Sequence, residues 1–83
     1  MALIDEVKQI LAAVLQLEER VNDFQAETAL LGALPEFDSM AVISIITALE
    51  ERYDFDVNDD EIDGEIFETL GDLVNFVENK LSN

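Results

Sequence analysis

Ser39 is the residue whose chemistry stands out in this chain, because it lies between Asp38 and Met40 at the start of a long apolar stretch. The apolar stretch runs to Leu49 and predicts an α-helix, which places Ser39 at a helix N-terminus. There the first backbone N–H groups lack partners within the helix and the helix dipole is positive, which stabilises a phosphate group. The local pattern therefore predicts that Ser39 can carry a phosphodiester.

A catalytic role for this hydroxyl is not expected. A serine nucleophile needs a neighbouring base, and the chain contains no His and no Cys. The same absence removes disulfides and the usual zinc ligands, so we expect no enzymatic activity and no metal site. Any chemistry at Ser39 must come from a partner or from a prosthetic group.

The charge balance is strongly acidic. Twenty Asp and Glu residues face only Lys8, Arg20, Arg52 and Lys80, which gives a net charge of -16. Such a surface repels nucleic acids and anionic lipids, so natural partners should present basic patches. Repulsion between two such surfaces also makes a monomer the expectation.

The chain lacks the signals of export or membrane insertion. Its first residues lead directly into Asp5 and Glu6 without the basic start of a signal peptide, and the near-apolar run over residues 40–49 is too short to span a bilayer. With no Cys, the composition suits a reducing compartment. We therefore expect a soluble cytoplasmic protein that does not bind membranes.

Hydrophobic periodicity predicts an all-α fold. A first amphipathic helix spans residues 3–17, residues 22–36 form a long loop pinned against the core, and the second helix spans residues 39–53. Asn58 and Glu61 look like the capping box of a short third helix that ends near Gly64, and Thr69 opens the last helix. We expect one domain over residues 1–83, a four-helix bundle with a long first loop and a short third helix.

The second helix has more apolar surface than one core contact needs. Its buried stripe is predicted to contain Val42, Ile45 and Leu49, whereas Met40 and Ile43 lie off this stripe, with Thr47 following at helical spacing. The second apolar face predicts a docking surface.

Taken together, these features resemble those of acyl carrier proteins over nearly the whole chain. The resemblance rests on three motifs: Phe37-Asp38-Ser39-Met40, Ala48-Leu49-Glu50-Glu51 and Thr69-Leu70-Gly71-Asp72-Leu73-Val74. It implies that a separate transferase, with a divalent metal, moves 4'-phosphopantetheine from coenzyme A onto Ser39, between Asp38 and Met40. The arm's thiol would then hold acyl groups as thioesters for partner enzymes of fatty-acid or polyketide-like biosynthesis.

The resemblance also implies electrostatic docking along the second helix and the loop after it. Near the serine, Ala41 and Ser44 stand where the fatty-acid type has acidic residues, which indicates a dedicated partner whose docking depends less on charge there. Together with the run over residues 30–35, this variant resembles stand-alone carriers associated with exosortase and exopolysaccharide loci. The residues expected to recognise partners are Met40, Ile43, Thr47, Glu50, Glu51, Val57, Asp59 and Asp60.

Three alternatives remain at the level of sequence. Asp38 or Ser39 could each be an ordinary helix N-cap. Asp54, Asp56, Asn58 and Glu65 occupy four ligand positions of a calcium-binding EF-hand loop, although Asp59 replaces the glycine that the sharp turn requires. The third is an acidic helical adaptor or inhibitor that binds a basic groove without any covalent group.

Overall fold

The described part of the chain contains three α-helices and three short 3-10 segments. The helices are α1 (Leu3–Leu15), α2 (Ser39–Tyr53) and α3 (Leu70–Ser82), and the 3-10 segments are η1 (Glu18–Asp23), η2 (Asp59–Glu61) and η3 (Gly64–Phe67). The computed structural model describes residues 2–35 and 37–82. For Asp59, within the second range, it describes the backbone but not the side chain. Within these ranges the one β-type pairing is an isolated bridge between Ala29 and Thr69. The all-α prediction is confirmed.

The first helix ends two residues earlier than predicted. Gln16 has the left-handed conformation, with φ 57° and ψ 43°, and its backbone N–H donates to the carbonyl of Ala12. The N–H of Leu17 donates to the same carbonyl at 3.1 Å, a common way to close a helix. Leu17 is 1% exposed, so its apolar side chain still joins the core after the helix has ended.

The predicted short third helix occupies the expected place but is divided in two. In η2 the backbone N–H of Asn58 donates to Glu61 Oε2 at 2.8 Å, as a capping box requires. Asp63 then starts η3, because its Oδ1 accepts the N–H of Glu65 at 2.8 Å. The fourth helical element is therefore formed by η2 and η3 rather than by a continuous α-helix.

The long first loop is held against the start of α3 by backbone hydrogen bonds, as predicted. The N–H of Leu30 donates to the carbonyl of Glu68 at 3.0 Å, and the N–H of Gly71 donates to the carbonyl of Ala26 at 2.7 Å. A Cβ on residue 71 would lie 2.9 Å from that oxygen of Ala26. Glycine at position 71 thus permits the close approach of loop and helix.

The core lies where α1 packs against both α2 and α3. Phe67 of η3 also enters the core, with its ring centroid 5.5 Å from that of Phe37. No described helix has the length and apolar character needed to cross a membrane. The fully buried side chains are those of Val7, Leu11, Leu17, Leu30, Ile45, Leu49, Phe67, Leu70, Leu73 and Val77.

Candidate functional site

Asp38, and not Ser39, caps the second helix. Its Oδ1 accepts the backbone N–H of Ala41 at 2.8 Å, and its own backbone is extended, with φ -112° and ψ -173°. Ser39 is the first residue of α2 and is exposed, and within residues 2–35 and 37–82 its hydroxyl makes no hydrogen bond. Of the two candidates for the N-cap, the structure therefore assigns the role to Asp38.

An open, mostly apolar groove begins at this serine. Ser39 and Val42 form its α2 side, and it has a volume of about 280 Å³. We call it the proximal groove, and its other lining residues are Leu31, Ile62, Asp63, Gly64 and Phe67. The groove therefore presents a mostly apolar surface next to Ser39.

A second groove follows farther along α2. It has a volume of about 250 Å³ and also contains Ile62 in its lining. We call it the distal groove, and its remaining lining residues are Ile43, Ile46, Thr47, Glu50 and Val57.

Four of the residues expected to recognise partners lie along one exposed stripe of α2. Met40 is 72% exposed and Ile43 is 59% exposed, and Thr47 and Glu51 continue the stripe toward the C-terminal end of the helix. Asp60 is exposed on η2. The stripe is therefore apolar beside Ser39 and acidic at its far end.

Glu50 and Val57 differ from these four because they bind each other. The backbone N–H of Val57 donates to Glu50 Oε2 at 2.8 Å, and both residues are half-buried. This contact holds the segment after α2 against the helix. The side chain of Asp59, also expected at the docking surface, lies outside the described residues.

Glu61 anchors the segment that leads into both grooves. Its Oε1 lies 2.9 Å from Lys80 Nζ on α3. The hydrogen bond from the Asn58 backbone, together with that from Lys80, holds the pKa of Glu61 below its usual value. Ionised Glu61 therefore connects η2 to α3 at neutral pH.

Two residues of the possible calcium loop are placed by their backbone. Asp54 ends α2 in the left-handed conformation, with φ 56°, and the N–H of Glu65 donates to Asp63. In the described part of the chain, no group of three or more acidic side chains is arranged to hold a metal ion.

Sequence reasoning missed the wall of the grooves formed by residues 62–67. Ile62 and Phe67 were not singled out, because they lie in a segment without helical or strand periodicity. The available signal was their apolar character between the acidic residues of that segment.

Comparison with known proteins agrees with this geometry. Residues 5–77 match the family described as phosphopantetheine attachment site. The chain is 35% identical over 80 residues to an acyl carrier protein of Sulfurovum sp. (strain NBC37-1), covering 95% of this chain and 99% of that protein. An acyl carrier protein of Campylobacter lari is 34% identical, with coverages of 95% and 96%.

A solved structure is similar over the full length. It is the solution NMR structure of a holo acyl carrier protein from Nitrosomonas europaea, with 54% sequence identity, a TM-score of 0.91 and complete (100%) coverage of both chains. The chain therefore belongs to the acyl carrier proteins with a covalently attached phosphopantetheine, and it is a carrier and not a catalyst.

Proposed function

We propose that Ser39 is the residue that carries the 4'-phosphopantetheine arm, in a single cytoplasmic carrier domain that spans residues 1–83. The observation that supports this most strongly is the exposed position of Ser39 at the start of α2, next to a cap that Asp38 already provides. Asp38 acts as a positioning residue, since its hydrogen bond to Ala41 fixes the first turn. The free N–H groups and positive dipole of that turn suit a phosphate on Ser39.

Attachment needs a base that takes the proton of the Ser39 hydroxyl. A phosphodiester bond forms between Ser39 Oγ and the pantetheine phosphorus as the pyrophosphate bond of coenzyme A breaks, with adenosine 3',5'-bisphosphate as the leaving group. The chain has no His, and the carboxylate of its neighbour Asp38 already accepts the N–H of Ala41, so in this proposal the hydroxyl proton passes to a base of the transferase. Once bound, the arm supplies a thiol that holds acyl groups as thioesters.

Intact-mass spectrometry tests the attachment site. We expect one phosphopantetheine on the wild-type protein after incubation with coenzyme A, magnesium and a broad-specificity transferase, and none on Ser39→Ala. Ser44→Ala is the matched control, because Ser44 is also an exposed serine of α2. If Ser39→Ala were still modified, or if only Ser44→Ala were left unmodified, the arm would be attached to a residue other than Ser39.

The same face of α2 supports a proposal for partner docking. Met40 and Ile43 are apolar and exposed beside Ser39, whereas Glu51 and Asp60 supply negative charge farther away. A transferase or acyl-handling enzyme would therefore place apolar side chains near the serine and basic side chains near the end of α2. Thr47 lies between these regions, and Glu50 contributes through its contact with Val57.

Charge reversal distinguishes this docking surface from the general acidity of the protein. We expect Glu51→Lys to lower kcat/KM for arm attachment about 3- to 10-fold at low salt and less at high salt, because it mainly weakens electrostatic association. Met40→Ala should instead lower kcat/KM at all salt concentrations, because it removes an apolar contact.

The control for Glu51→Lys is Glu78→Lys, an equal charge change at an exposed site on α3. Equal losses in Glu51→Lys and Glu78→Lys would contradict the assignment.

A further inference from the structure

Exposed large apolar side chains are unevenly placed on this acidic protein. In the described part of the chain they are those of Leu31, Met40, Ile43 and Leu81. Met40 and Ile43 follow Ser39 on α2, and Leu31 lines the proximal groove together with Ser39. Three of the four therefore lie beside the serine, whereas Leu81 is in the last turn of α3 and lines neither groove.

Leu31 and Met40 lie on opposite sides of Ser39. Each residue of an α-helix is rotated by about 100° from the one before it, so Ser39 lies between Val42 and Met40 around α2. Val42 faces the proximal groove, on whose other side Leu31 lies, whereas Met40 lines neither groove. An enzyme that covers the hydroxyl of Ser39 therefore meets an apolar side chain on each side.

We propose that Leu31 is a contact for the phosphopantetheinyl transferase, which holds the start of α2 between Leu31 on one side of Ser39 and Met40 on the other. The inference rests on the proposed attachment at Ser39. The transferase directs bond formation at Ser39 Oγ, so its surface must come into contact with the atoms around that oxygen. An enzyme that acts on the thiol works at the far end of the arm and has no such requirement. The occupant of this surface is therefore the transferase.

The turn that carries Leu31 is held in place before any partner binds. The N–H of Leu31 donates to the carbonyl of Phe67 at 3.0 Å, and the N–H of Leu34 donates to the carbonyl of Leu30 at 3.1 Å. The side chain of Leu31 rests over η3, since a Cβ on Gly64 would lie 3.5 Å from Leu31 Cδ2. Binding therefore orders little that is still free to move, which lowers the entropic cost of the contact.

The chemistry of this turn favours an apolar partner surface. Residues 28–35 include no charged side chain, and the turn over residues 31–33 is exposed. Asp63, the acidic residue in the lining of the proximal groove, already accepts the N–H of Glu65. A basic side chain placed over the turn itself would find no charge to pair with, whereas an apolar one removes the side chain of Leu31 from water.

The kinetics of arm attachment test this contact. With the broad-specificity transferase, Leu31→Ala should lower kcat/KM about 3- to 10-fold at low and at high salt, because the lost contact is apolar. The loss should appear mainly as a higher KM. Leu31→Met keeps a similar apolar volume and should stay close to the wild type. Leu81→Ala is the matched control, because Leu81 is 46% exposed against 44% for Leu31 and lines neither groove.

Two further measurements separate a contact from a structural role. The Tm of Leu31→Ala should lie within about 4 °C of that of the wild type, because substitutions at exposed positions change stability little. Once the arm is attached, loading of octanoate onto its thiol by an acyl-carrier synthetase with ATP should have the same kcat/KM in the wild type and in Leu31→Ala. A structural role would instead lower Tm and slow both reactions, and that result would overturn the proposal.

The outcomes distinguish this contact from the attachment site. If the wild type is modified at Ser39 but Leu31→Ala loses no more activity than Leu81→Ala, the contact is overturned and the attachment site stands. An equal loss in arm attachment and in octanoate loading overturns the assignment of the contact to the transferase. If the wild type is not modified at Ser39, both proposals fail together.

Discussion

Phe67→Ala is expected to lower the free energy of unfolding by about 3–5 kcal/mol. The side chain is 1% exposed, and its ring contacts that of Phe37 at a centroid distance of 5.5 Å. A domain of this length has a total stability on the order of 4–12 kcal/mol. The substitution therefore removes a large share of the stability, and at the lower end of that range it unfolds the protein.

Urea denaturation followed by circular dichroism measures this loss. Phe67→Leu is the control, because it keeps most of the apolar volume and should cost less than about 1.5 kcal/mol. Phe76→Ala is a second comparison, since Phe76 is only half-buried on α3. If Phe67→Ala were as stable as Phe76→Ala, Phe67 would not be the core contact that the structure indicates.

The role of Phe67 shows where sequence reasoning succeeds and where it stops. Spacing alone predicts a buried stripe on the last helix of Leu70, Leu73, Val74, Val77 and Leu81. Leu70, Leu73 and Val77 are fully buried and Val74 is half-buried, but Leu81, in the last turn, is 46% exposed. In regular helices, position in sequence determines which face a side chain occupies. Phe67 lies in a short 3-10 segment, so its orientation depends on contacts with the distant residues Leu31 and Phe37.

The candidate site shows the same division. Asp38 and Ser39 could be placed at the start of α2, because caps and helix patterns are local features. Which of the two side chains accepts the N–H of Ala41 depends on backbone geometry, and the structure assigns it to Asp38. Glu50 was expected to face a partner, but its hydrogen bond to Val57 could be recognised only once the turn after α2 was known.

The second large expected effect is the response of Tm to salt. Tm should rise by on the order of 10 °C between 10 and 100 mM NaCl. The chain has a net charge of -16, and its extents are 31 × 29 × 21 Å. The Debye length falls from about 30 Å to about 10 Å over this range, from the size of the molecule to about a third of it. Repulsion across the whole folded surface is therefore present at low salt and mostly screened at high salt.

The magnitude follows from the number of charges. Two charges about 15 Å apart in water repel by about 0.3 kcal/mol, and this falls to roughly a third over the same range of salt. This reduction is summed over roughly a hundred pairs, and the part that also occurs in the unfolded chain is subtracted. The free energy of unfolding then rises by on the order of 3 kcal/mol between low and high salt. At about 4–8 °C for each kcal/mol, this gives the expected rise in Tm.

Favourable ion pairs oppose this rise but do not reverse it. Arg52 binds Glu6 at 3.3 Å, and Lys80 binds Glu61 at 2.9 Å, and both pairs are partly exposed. Such pairs contribute about 0–1 kcal/mol each. The stability that is lost when salt screens these pairs is therefore smaller than the stability that is gained when salt screens the repulsion.

A variant with lower charge distinguishes repulsion from a specific effect of sodium. Gln in place of the exposed residues Glu19, Glu27 and Glu78 removes three negative charges. It should raise Tm at 10 mM salt and flatten the salt dependence, and tetramethylammonium chloride should act like NaCl on the wild type. A Tm that stays level or falls as salt rises would mean that the local ion pairs outweigh the repulsion. The acidic surface would then cost the folded protein no stability at low salt.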